Sequence, residues 1–248
     1  MKLYELLNEY DAPDIQGYAP RGYPKTLDQP LYPADATKQL GQGAYSIVYS
    51  HEDTPHDVLK VSRKNTWGFP RADGFIVYLK WLLESEYKDS RYAPRLRSAR
   101  LAKDETTFQV RMEKLEDLNS LRASELLNII KANFDDAFFR NTIKAYTERM
   151  EKLRLQIGSM YTPAEANRKI SEYNGGLVWD IVERIDDIAR MRVDANDPDL
   201  TAFLRAIFKL SLTSDFTMDL SNPGNTMARR TPMGVQLVIT DPLGGKGI

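Results

Sequence analysis

The 248-residue chain has no cysteine, which excludes disulfides and thiolate metal sites and fits a reducing cytoplasm. Its only two histidines, His51 and His56, fall in one turn-like segment and read as solvated loop residues rather than a metal pair. No apolar run approaches the roughly 18 residues of a membrane span. The first residues, MKLYELLNEY, lack a signal-peptide core, so neither a membrane nor export is expected. The formal charge of −1 supplies no overall attraction toward nucleic acid or an anionic surface, so neither is expected as a partner.

What remains is an ordinary globular composition, 42% hydrophobic and 28% charged, long enough for one two-lobed domain or two small ones. The most informative stretch runs from Leu40 to Val61, LGQGAYSIVYSHEDTPHDVLKV. Gly41 and Gly43 would let backbone approach a ligand closely, since neither carries a Cβ. Ile47–Tyr49 and Val58–Val61 are strand formers, separated by the turn-rich HEDTPHD. Lys60 interrupts the second apolar run, and a buried ammonium is costly without an anionic partner. Glycine turn, strand, loop and strand lysine together suit the holding of phosphates.

Residues 2–10 have the spacing of a short amphipathic helix, and Asp11–Asp35, rich in proline, tyrosine and glycine, reads as an extended or partly disordered arm. A helix is expected from Asp73 to Ser85 on the spacing of Phe75, Ile76, Leu79, Leu82 and Leu83. Two strands follow, joined by a turn at Lys103–Glu105. In the second, Phe108, Val110 and Met112 alternate with Gln109, Arg111 and Glu113, the pattern of a half-buried strand. The chain then turns helical. Candidates are Leu121–Asn133, a segment through Ile143, Tyr146, Met150, Leu153 and Ile157, and a helix opened by the capping box Thr162-Pro163-Ala164-Glu165. Asn174-Gly175-Gly176 is expected to break that helix before another at Leu177–Arg192, and Asp197-Pro198 opens the last. DLSNPGN (Asp219–Asn225) has too many turn formers for a helix or strand. Thr226–Ala228 and Val235–Thr240 can pair as a short hairpin that ends at Asp241.

The order of these pieces resembles the protein kinases. LGQGAYSIV resembles their glycine-rich loop, with Ser46 where a third glycine usually stands, and Val58-Leu59-Lys60-Val61 resembles their lysine strand. DLSNPGN resembles the catalytic loop, and Ile239-Thr240-Asp241-Pro242 sits where the metal-binding aspartate belongs. Within the kinases, GAYSIVYSH, VLKV, DLSNPGN and ITDP are most similar to the early serine/threonine protein kinases of T-odd coliphages, over about Lys38–Val61 and Asp215–Leu243.

The resemblance implies an α+β, two-lobed, minimal protein-kinase-like fold that ends just after the strand carrying Asp241. It comprises an arm over 1–37, an antiparallel β-sheet lobe over 38–116, and a reduced helical lobe over 117–248 with the catalytic loop and metal-binding hairpin. Leu40, Gly41, Gly43, Ser46, Val48, Lys60, Glu113 and Leu115 would bind the nucleotide, the last two from a hinge at Met112–Leu115. Asn225 and Asp241 would hold Mg²⁺, and Asp219 with Lys60 would serve catalysis, using ATP as phosphoryl donor. The implied substrates are host bacterial proteins, of the transcription or RNA-processing machinery, in the host cytoplasm.

Several positions depart from the kinase pattern. Asp219 and Asn225 are six residues apart where five is usual, so the loop must bulge or Asn222 must share the role. Thr217 and Met218 replace the usual histidine and arginine, Pro242 and Leu243 follow Asp241, and the Asp73–Ser85 helix has no mid-helix glutamate for Lys60. No activation segment is expected before Ile248. Two alternatives therefore stand beside the kinase: a pseudokinase that inhibits a host protein by contact, and a small-molecule phosphotransferase suggested by the wording of DLSNPGN. Asp215 competes with Asp219 as the acid of the loop, and reads more simply as a local cap.

Overall fold

The computed structural model describes residues 38–42, 46–50, 55–62, 74–101, 108–157 and 160–246. The expected helix at 2–10, the arm, His51, Gly43 and the turn at Lys103–Glu105 lie outside them. The architecture is α+β, an antiparallel sheet followed by helices and a hairpin. Leu115–Leu243 forms one compact unit; the described residues before it, with Gly244–Lys246, form another.

The first unit is built on a five-stranded sheet of β1 (Lys38–Gln42), β2 (Ser46–Ser50), β3 (Asp57–Ser62), β4 (Leu96–Leu101) and β5 (Phe108–Glu113), in the order β1-β2-β3-β5-β4. Every described pairing in it is antiparallel. Helix α1 (Gly74–Glu84) carries the expected apolar stripe and buries Phe75, Ile76, Tyr78, Leu79, Leu82 and Leu83. Phe75 lies 5.0 Å, centroid to centroid, from the Phe108 ring, which ties helix to sheet.

Strand β5 corrects the half-buried expectation, because its polar residues are buried as well: Gln109 is wholly enclosed, and Glu113 nearly so. Polar groups can be enclosed when they are paired. Arg111 forms an ion pair with Asp57 on β3, and Arg97 Nε reaches the same carboxylate at 3.3 Å. The Glu113 carboxylate accepts the Arg95 amide at 2.8 Å. Alternation of hydropathy misjudges a strand whose second face is neutralised by ion pairs.

The second unit is organised around one long helix. In chain order it holds β6 (Glu116–Asp117), α2 (Ala123–Asn133), α3 (Asp136–Gln156), α4 (Pro163–Ala189), α5 (Pro198–Thr213), β7 (Phe216–Met218), β8 (Thr226–Thr231) and β9 (Gly234–Ile239); β10 (Leu243–Lys246) follows. Helix α4 packs against α2, α3 and α5, burying Leu177, Val178, Ile181, Val182, Ile185 and Ile188. Each such side chain contributes about 1.5–3 kcal/mol, so this stripe is the main stabilising feature of the unit.

The ends of the helices follow the sequence signals. Thr162 Oγ1 accepts the Glu165 amide at 3.3 Å while Glu165 Oε2 accepts the Thr162 amide at 2.7 Å, the reciprocal cap expected there. Asp197 caps α5 through the Asp199 amide at 2.9 Å, with Pro198 at the first position. The expected break at Asn174-Gly175-Gly176 does not occur, and α4 runs through it without interruption. Each glycine costs about 1 kcal/mol relative to alanine, less than the flanking capped turn and buried stripe supply. The hairpin is also longer than expected. β8 and β9 pair from Thr226↔Ile239 to Thr231↔Gly234, leaving Pro232 and Met233 as the turn.

Candidate functional site

The candidate residues fall in both units. In the first, Leu40 and Gly41 lie on the exposed strand β1, where the β1–β2 register shifts between Gln39 and Gly41. A Cβ added at Gly41 would meet nothing within 4 Å. Ser46 is buried at the start of β2. Val48 pairs in register with Lys60, and Lys60 with Val110, so the three share one face of the sheet.

Lys60 is buried, and its ammonium stands 3.7 Å from the centroid of the Phe75 ring. The face of an aromatic ring attracts a cation by about 0.5–2 kcal/mol. Phe75 was expected only as a core residue of α1; the sequence carries no signal that its ring also lies beneath the lysine. The one acidic residue of α1, Glu84, is exposed at the helix end. Glu113 is committed to the sheet, its amide donating to the Arg95 carbonyl at 3.0 Å and its carboxylate accepting in return. The next amide, Lys114, donates to the His56 carbonyl at 2.8 Å. Leu115 opens the second unit and is half-buried.

In the second unit, Asp219 follows β7, and buried Leu220 anchors the loop behind it. Asn222 Oδ1 accepts the Gly224 amide at 3.0 Å, and a 3₁₀ turn over Pro223–Asn225 delivers Asn225 to the start of β8. The Asn225 side-chain amide then donates to the Asp219 carbonyl at 2.7 Å and to Asp219 Oδ2 at 3.0 Å. The additional residue in the Asp219–Asn225 spacing is thus taken up by the turn. Asn222 is occupied as its cap, and Asn225 is the asparagine that meets Asp219.

Asp241 is tied to the same loop from both sides. Its predecessor Thr240 donates its amide (2.9 Å) and its hydroxyl (3.2 Å) to the Asn225 carbonyl. Its successor Pro242 accepts the Asp219 amide at 2.7 Å. Asp219, Asn225 and Asp241 are all half-buried, partly open to solvent and fixed by backbone bonds. Asp215, the competing acid, is exposed just beyond α5. Sequence reading gave Thr240 and Pro242 no role of their own: Pro242 acts through its carbonyl, and Thr240 through its amide and hydroxyl.

The hairpin carrying these residues is braced on its flank. Arg230 on β8 reaches Glu116 at 2.7 Å and Glu125 at 2.7 Å. Glu125 also accepts the Arg122 amide at 3.0 Å at the start of α2. Hydrogen bonds from Arg122 and then Arg230 hold the Glu125 carboxyl at about 2, against an ordinary 4.5. A carboxylate depressed in the folded state adds stability above its unfolded pKa and loses it as pH falls through its folded one. The urea midpoint is therefore expected to drop between about pH 4.5 and 2, and Glu125→Gln to flatten that part of the profile. An unchanged slope in the variant would exclude this brace as the source.

Among the described residues, no group of three or more histidine, aspartate or glutamate side chains is placed to hold a metal ion. The Asp241 carboxylate and the Asn225 amide oxygen are a different donor set, one that suits an ion completing its shell with water and phosphate. No helix among the described residues is long and apolar enough to cross a membrane. A scan of protein-family models and a search of curated proteins each return no match to the chain.

Proposed function

We propose that the chain is an ATP-dependent serine/threonine protein kinase of the coliphage type, acting with Mg²⁺ on host bacterial proteins in the host cytoplasm. The observation that carries this reading is the Asn225 bridge: one side-chain amide binds both the carbonyl and the carboxylate of Asp219. Thr240 and Pro242 hold Asp241 against the same loop.

Phosphoryl transfer needs positioned groups and charge neutralisation more than covalent help. Asp219 is the group to orient an acceptor hydroxyl and take its proton, and the Asn225 amide holds its carboxylate in place. Because both contacts to Asp219 use Nδ2, Asn225 Oδ1 is the atom left to face an ion. With Asp241 it forms a hard-oxygen pair fit for Mg²⁺, which would supply charge neutralisation on the phosphates. Lys60 adds a buried positive charge on a rigid strand. A pseudokinase that inhibits a host protein is the second reading. It is favoured by the exposed position of Glu84, the one acid of α1, and by the aromatic ring that lies under Lys60.

Calorimetry of MgATP against wild type and Asp241→Ala tests the site. A charge-assisted contact is worth about 1.5–3 kcal/mol, so the variant is expected to bind at least about tenfold more weakly. Labelled ATP with bacterial lysate then separates the readings: a kinase labels protein and Asp219→Ala does not. Metal-dependent binding without any labelling supports the pseudokinase, and no binding by wild type overturns the kinase.

A further inference from the structure

We infer that Asn174-Gly175-Gly176 is a hinge within α4, and that the helical arm outside it opens and closes as a unit while the rest of α4 stays folded.

Burial divides the helix at this point. On the C-terminal side, Leu177, Val178, Ile181, Val182, Ile185, Ile188 and Ala189 are buried, whereas on the N-terminal side Ala166 alone is. Helix α3 is thinly packed along its whole length, burying only Thr142 and Leu153. At the tip, Leu155 is 82% exposed and Met160 71%. An element with so few buried apolar contacts belongs at the low end of the local stability range.

The glycines are not required by packing. A Cβ at Gly175 would meet nothing within 4 Å, and one at Gly176 would meet only the flexible end of Arg149, at 3.3 Å. Alanine fits the first position and needs only a small side-chain shift at the second. Two adjacent glycines in a continuous helix therefore lower its stability at that point with no steric return, at the very boundary where burial ends. One specific contact closes the arm beside them: the Tyr146 hydroxyl on α3 donates to Asn174 Oδ1 at 3.0 Å. Hinge, thinly packed arm and, among the described residues, one polar latch between the two helices form a device with two positions.

Hydrogen exchange on the full chain, read by mass spectrometry, tests this. In wild type, amides at 147–156 and 166–174 are expected to exchange at least about tenfold faster than those at 181–189, as local opening requires. Gly175→Ala is expected to slow the outer set about fivefold, the advantage of alanine over glycine in a helix, leaving the inner set unchanged. Tyr146→Phe should speed the outer set about fivefold by removing the latch. Equal exchange of the two sets in wild type would overturn the inference without any variant. So would a Gly175→Ala effect that is absent or shared equally by both sets.

Discussion

Asn225→Asp is expected to destabilise the protein by about 2–4 kcal/mol at pH 7 and, under the kinase reading proposed above, to lower phosphoryl transfer at least about a hundredfold. The native amide gives both its contacts to Asp219, at 2.7 Å and 3.0 Å. Aspartate has the same shape and no donor, so it sets a second carboxylate against the first. Two carboxylates at that separation cannot both stay ionised cheaply, and one is pushed toward protonation. Its pKa is then raised in the folded state, which fixes the sign of the pH dependence. The penalty is full above the raised value and eases as pH falls through it, opposite to the slope set by Glu125. Asn225→Ala loses only hydrogen bonds and is expected to cost about 1–2 kcal/mol at every pH. Urea unfolding of both variants at pH 7 and pH 5 decides the matter. If aspartate costs no more than alanine at pH 7, the side chain at 225 does not meet Asp219 as described.

Phe75→Ala is expected to cost about 3–5 kcal/mol, the range for removing a large aromatic from a core. The ring is 1% exposed, touches Phe108 and lies under the Lys60 ammonium. Its loss leaves a cavity beside a charge that has little water around it, so collapse of the neighbours is opposed on one side. Lys60→Met keeps an unbranched stem over the ring and removes the charge with its contacts, and is expected to cost less than Phe75→Ala, about 1–2 kcal/mol. Thermal or urea unfolding of the pair separates packing from charge. A Phe75→Ala penalty under about 1 kcal/mol would mean that the ring does not form the contact between α1 and the sheet.

Much of this fold was legible where local chemistry and packing agree. Thr162-Pro163-Ala164-Glu165 and Asp197-Pro198 mark helix starts because the first turn leaves donors that those side chains satisfy. The apolar spacing of α1 worked because one face of it is buried throughout. Reading failed where a distant contact outweighed a local preference. Gly175 and Gly176 look like a stop, yet the buried stripe from Leu177 onward carries the helix through them. Gln109 and Glu113 look exposed, yet both are buried on β5, Glu113 with its carboxylate on the Arg95 amide.

The candidate site was legible as a set of residue types, and Asp219, Asn225 and Asp241 do share one loop and hairpin end. How they are held was not legible. The locking contacts use the Asn225 and Pro242 carbonyls, and a backbone carbonyl is present at every residue, so no pattern of side chains points to it.

The bond from the Asp219 amide to the Pro242 carbonyl also limits how the segment after Thr240 can move. In the kinases this sequence resembles, a phenylalanine follows the metal aspartate, and its packing distinguishes active from inactive arrangements. Here proline holds its own φ near −65° and keeps Asp241 out of the helical region. A crankshaft rotation that turned Asp241 outward would swing the Pro242 carbonyl away from Asp219 and pull Thr240 from Asn225. Turning the Asp241 carboxylate outward would therefore break bonds on both sides of it at once.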